Sequence, residues 1–264
     1  MQPSSPVPDP SSSPTSVETD AAALSYLGGY PHGGGRLLLS ALGIGLGVGI
    51  VSWLIGEAAE NAFSPRSIAG SLANGIATRI ITDSSRTVAT IRNVTLSSGL
   101  FGALLGSALG LAGAVARHDR RVARRPGLIG LVAGALAGAG TALPLVSLYY
   151  RSFETYAPDG LTEPLLVHAG IWGAIGGVGG LAFGLGAGGR RSALRGLVGG
   201  LVGAVLGAAI YEIAGALAFP MSRTFQPTAS EWAPRLMARL LVSGLVAVGA
   251  ALAVADRRSP KPAA

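Results

Sequence analysis

Six apolar stretches, each about twenty residues long and separated by short charged islands, leave this chain few ways to fold. They run approximately over 37–57, 98–116, 127–148, 165–188, 196–219 and 236–255. At a rise of 1.5 Å per residue, each approaches the ~20 residues that cross a hydrocarbon core roughly 30 Å thick. In lipid an unpaired backbone amide costs several kcal/mol, so such segments stay helical even where glycine, or Pro144, would weaken a helix in water. The expected fold is all-α: a polytopic transmembrane bundle of six helices within 36–258, partnered by the lipid bilayer. Only 12% of the 264 residues are charged, about half the share of an ordinary soluble domain.

The charges that remain are ordered along the chain. The formal net charge is +7, and most of the excess lies beside apolar runs. The clusters are Arg117, Arg120, Arg121, Arg124 and Arg125; Arg190, Arg191 and Arg195; and Arg257, Arg258 and Lys261. Almost no aromatic residues accompany them, so they read as topology signals and no nucleic-acid partner is expected. By the positive-inside rule both termini and the two short arginine loops are cytoplasmic, and the protein is integral to the plasma (inner) membrane, multi-pass. Arginine far outnumbers lysine and alanine is abundant, the composition of a GC-rich bacterial genome.

Outside the spans, residues 1–35 are rich in Ser, Pro and Gly and are expected to form a disordered cytoplasmic arm; 259–264 form a short basic tail. The 58–97 segment reads as a long outer loop. Within it Ser64-Pro65 is a helix-start signal, and Ile68, Leu72, Ile76 and Ile80 follow at four-residue spacing, which predicts an amphipathic surface helix.

Glycine is periodic within the spans. Gly176, Gly180, Gly184 and Gly188 recur every fourth residue, as do Gly199, Gly203 and Gly207; Gly102, Gly106 and Gly110; and Gly130, Gly134 and Gly138. Residues four apart share a helix face, so each helix carries a groove free of side chains, where a neighbouring backbone can approach closely. The 173–212 segment, and again 102–139, resembles the glycine-zipper two-helix hairpin membrane proteins of bacterial envelopes. That resemblance implies a packing mode, with a turn at 188–195, and no activity. It also leaves room for homo- or hetero-oligomers through glycine faces.

An internal repeat accompanies the periodicity. "SSGLFGALLG" (97–106) aligns with "HAGIWGAIGG" (168–177), and "GLIGLVAGALAGA" (127–139) with "GLVGGLVGAVLGA" (196–208). The sixth and first stretches echo the same pair. A two-helix unit used three times predicts parallel copies about a rough threefold axis along the membrane normal.

Few residues carry chemistry. Cysteine is absent and three histidines are too few for a cluster, so no metal is expected. H-E-x-x-H, G-x-S-x-G and a Walker lysine are all missing, so neither a cofactor nor an enzyme is expected. Gly184, Gly186 and Gly189 match G-x-G-x-x-G with Glu212 downstream, but no strand precedes them. Ionisable groups at span ends are the remaining signal. Glu57, Glu212, Tyr211 and His168, with Arg239 as counter-charge, form a candidate polar pocket for a cation or a proton relay. The competing reading places both glutamates at headgroup level, paired with Arg235, Arg239 or water. Trp53, Trp172, Tyr149, Tyr150 and Tyr211 read as interfacial anchors. The leading expectation is a non-enzymatic structural or assembly component of the cell envelope. The alternative is a small transporter or channel with a path between the repeats.

Overall fold

The computed structural model describes residues 34–71, 77–117, 123–155 and 162–255. The basic tail, most of the N-terminal arm, and Arg120, Arg121, Arg257, Arg258 and Lys261 lie outside them. Six helices follow in order: α1 (Gly34–Ala59), α2 (Asp83–Ala116), α3 (Arg124–Thr155), α4 (Thr162–Gly188), α5 (Arg190–Ala218) and α6 (Trp232–Ala255). All six are long and apolar enough to cross a membrane, so the chain is a multi-pass, all-α membrane protein. Pro144 sits inside α3 without ending it.

The helices outrun the apolar stretches, because hydropathy marks the hydrocarbon core and not the hydrogen-bonded ladder. The largest extension is in α2, which begins at Asp83 rather than near 98. Its N-cap is Thr82, whose hydroxyl accepts from the Ser85 amide at 3.3 Å, with Asp83 in the first turn. The expected loop at 188–195 shrinks to a single residue. Gly189 separates α4 from α5, and all three arginines of that cluster belong to α5.

The amphipathic helix expected in 58–97 is not formed. The segment instead holds an antiparallel pair, β1 (Ser67–Ser71) and β2 (Ala77–Ile81), with Ile68 opposite Ile80. Four-residue spacing fits one face of a helix, but four is also a multiple of two and fits one face of a strand. Ile, Thr and Ile in β2 favour the strand. Leu72 and Ile76 lie outside the described residues. Side chains of α2 fasten the segment: Ser85 bonds both backbone groups of Arg66, and Asn93 bonds both of Phe63, at 2.9 and 3.0 Å.

The helices form an inner and an outer set. The most apolar windows of α2, α4 and α6 are 50%, 56% and 44% buried, against 22%, 28% and 39% for α1, α3 and α5. The inner three supply most of the core: Phe101, Leu105 and Leu109 from α2, Ile171, Ile175 and Phe183 from α4, Val242 and Val246 from α6. Each outer helix lies against an inner one. α3 packs on α2 and α4, and α5 on α4 and α6. α1 lies along α6, with Gly45 and Gly49 against Ser243 and the backbone of Arg239.

Backbone contact at glycine sets these distances. A Cβ at Gly102 or Gly106 would overlap the carbonyl oxygen of Gly134 or Gly130, and one at Gly176 or Gly180 would crowd that of Gly200 or Gly196. Gly110 faces Pro126, Gly138 faces Ser98, and Gly184 and Gly188 face Ser192. The expected stripe Gly199, Gly203, Gly207 does not face α4. It meets Gly249, Leu245 and Val242 of α6, so α5 carries two glycine faces.

That turn depends on one backbone conformation. Gly189 has φ +82° and ψ −160°, a region almost closed to residues with a Cβ, although a Cβ there would meet nothing within 4 Å. Gly189→Ala is therefore expected to cost roughly 1–3 kcal/mol through strain alone. Gly43→Ala, also in open space but in ordinary helix, should cost nothing. Unfolding midpoints of the two variants in detergent micelles check this, and equal midpoints would contradict it.

Candidate functional site

A cavity of about 510 Å³ lies among the helices at the end opposite the α2–α3 and α4–α5 turns. Its wall is built at helical spacing. Arg86, Thr90, Asn93 and Ser97 line it along one face of α2, His168 and Trp172 along α4, and Arg235 and Arg239 along α6. α1 adds Trp53 and Glu57, with Glu60 just past its end, α5 adds Tyr211, and α3 adds Tyr150. Residues of the 60–65 and 226–230 connections complete it. Burial grades from exposed Asn61, Phe63, Pro65 and Arg86 to buried Ser98, His168 and Tyr211, which sets the mouth and the floor. Beyond the floor the inner helices close on Leu105, Leu109, Ile175 and Val246, all 0% exposed.

Three charged groups form one unit in the wall. Arg235 donates from Nε to Oε1 of Glu57 and from its second terminal nitrogen to Oε2, both at 2.8 Å, and also bonds Glu60. The planar fork matches the carboxylate, so one guanidinium holds two acids and ties α6 to α1. The same guanidinium reaches the Ala229 carbonyl at 3.3 Å, which draws the 226–230 connection over the cavity.

A second unit lies at the floor. His168 Nδ1 bonds Oε1 of Glu212, and the two residues are 2% and 3% exposed. Trp172 stacks on the imidazole at 4.6 Å between centroids and 16° between planes, and Tyr211 presents an edge at 5.5 Å. Glu212 stands behind the histidine and does not line the cavity; its Oε2 is buried with no hydrogen-bond partner.

Arg239 belongs to neither unit. Its guanidinium donates to Ser97 Oγ and lies over the Phe101 ring, 4.4 Å from the centroid. Glu57, one of the two glutamates for which it was the expected counter-charge, is held by Arg235. Among the described residues no acid comes within ion-pair distance of Arg239.

No family model matches the chain, and neither curated proteins nor solved structures yield a similar one.

The five pocket residues expected from sequence thus gather at one end of the bundle, in a different pairing. Glu57 meets Arg235 as in the competing reading, Glu212 meets His168, and among the described residues Arg239 has no acid within ion-pair distance. The expected interfacial anchors are mostly interior. Tyr149 and Tyr211 are buried, and Trp172 covers the histidine. An aromatic residue near a span end fits a headgroup or a cavity wall equally well, and only the neighbouring helices decide. Sequence reading missed Arg86, Thr90, Asn93 and Ser97, because their segment was assigned to a loop. The cap signal at Thr82-Asp83 and the spacing 86, 90, 93, 97 would have found them. Among the described residues no three His, Asp or Glu side chains converge as a metal site would require.

Proposed function

We propose that this chain is a small transporter: it takes a solute into the cavity from one face of the membrane and passes it toward the other by rearrangement of the inner helices. One observation carries the reading. In the end turns of the spans, where a scaffold would be closed by packed side chains, the wall holds Arg235, Arg239, Glu57 and His168 around open volume. Ionisable groups there are costly and mark solute paths. The core beyond the floor is closed by packed apolar side chains, as one state of an alternating pathway would be. By the positive-inside rule the arginine-rich turns are cytoplasmic and the cavity opens outward. The glycine contacts support the likeness to glycine-zipper hairpins and a repeat of the two-helix unit. They are consumed within the chain, which favours transport over assembly through glycine faces.

The chain has no cysteine, so a single introduced thiol is an unambiguous reporter. Ser97→Cys, in the cavity wall, is expected to react with a membrane-impermeant thiol reagent from the outside in intact cells and from the cytoplasmic side in inverted vesicles. Labelling from the outside alone, under every condition, would leave a fixed pocket and overturn the transport proposal.

A further inference from the structure

We infer that the cavity binds an organic carboxylate with a planar apolar body, its carboxylate seated on Arg239. This rests on the reading of the cavity as a solute site and names the solute class. The argument starts from charge. Arg235 is matched by Glu57 and Glu60, whereas among the described residues Arg239 has one hydroxyl partner for five N–H donors. The Phe101 face offsets part of that charge. An anion in the cavity would complete it, and a guanidinium edge presents two parallel donors spaced for a carboxylate.

Two further observations fit the same ligand. The Trp53 indole, in the cavity wall, keeps its nitrogen buried without a partner. Both carboxylates facing the cavity are already held by Arg235, and the lining residues carry three arginines, Arg86, Arg235 and Arg239, against these two acids, so an anion is preferred to the cation expected from sequence. Arg86 at the mouth, also without an acid in ion-pair range among the described residues, adds an attractive field for an entering anion. Around these donors the wall is aromatic: Trp53, Trp172, Tyr150 and Tyr211. Flat rings set about a volume of some 510 Å³ suit a planar apolar body better than a bare inorganic ion.

The test uses the full chain in proteoliposomes, with 3-phenylpropionate as probe, its alcohol 3-phenylpropanol as neutral isostere, and inorganic phosphate as bare anion. The readout is protection of Ser97→Cys from the impermeant thiol reagent. The phenylpropionate is expected to slow labelling saturably, while the alcohol and phosphate do not. Adding Arg239→Gln should raise the protecting concentration roughly ten- to hundredfold, the scale of one hydrogen bond to a charged group. Arg239→Lys should restore part of it. Equal protection by alcohol and acid, protection by phosphate alone, no protection by the acid, or an unchanged concentration in a folded Arg239→Gln protein would each overturn the inference. Should Arg239→Gln fail to fold, the comparison of acid with alcohol decides by itself. Labelling of Ser97→Cys from both faces does not depend on this probe, so the transport reading can survive its failure.

Discussion

Gly106→Leu is expected to abolish recovery of folded protein, and Gly106→Ala to lower stability by about 1–3 kcal/mol, the usual cost of overpacking. A Cβ at this position meets the carbonyl oxygen, carbonyl carbon and Cα of Gly130, the last at 3.2 Å. All three are main chain and cannot rotate away, so α2 and α3 must separate along their length. Separation forfeits the dispersion and Cα–H···O contacts that hold helices together in lipid, where water exclusion supplies no force. Gly47→Leu is the control: Gly47 lies in the same kind of apolar helix, but a Cβ there has nothing within 4 Å. Yield of monodisperse protein and unfolding midpoint, measured on all three variants, check the claim. A Gly106→Leu protein that unfolds like the parent would show that main-chain contact does not set the helix spacing.

His168→Leu is expected to cost about 3–5 kcal/mol, the cost of stranding one partner of a buried polar pair. The histidine supplies the only hydrogen bond to the Glu212 carboxylate among the described residues, since Oε2 already has none. Without it an acid 3% exposed keeps no partner on either oxygen. The double variant His168→Leu/Glu212→Leu removes both polar groups and should recover much of the loss, whereas independent sites would add. Denaturant titration of the two single variants and the double variant gives the coupling directly. Additive losses would mean that the pair is not a unit.

The fold was largely legible in the sequence, because hydropathy over twenty residues answers to one strong physical demand. What escaped lay where that demand lapses. Residues 83–97 are helical but too polar to register as a span, and the capping residues before them were the relevant signal. The β1–β2 pair was hidden by a spacing common to both periodicities. At the site, the ionisable residues could be named because so few end an apolar run. Their partners could not: Glu57 and Arg235 are 178 positions apart, and only the order of helices around the bundle brings them together. The same is true of the glycines. Their period announces contact, but that Gly199 faces α6 while Gly200 faces α4 follows from helix placement.

The docking of α1 along α6 bears on how the protein is made. A ribosome releases the first helix while its resting place has yet to be synthesised, and the whole of the intervening polypeptide must enter the bilayer before the two can join. Until then the Gly45–Gly49 surface and the acid of Glu57 wait in lipid or in the care of the insertion machinery. Docking of α1, and with it completion of the cavity wall, therefore waits until α6 has entered the bilayer.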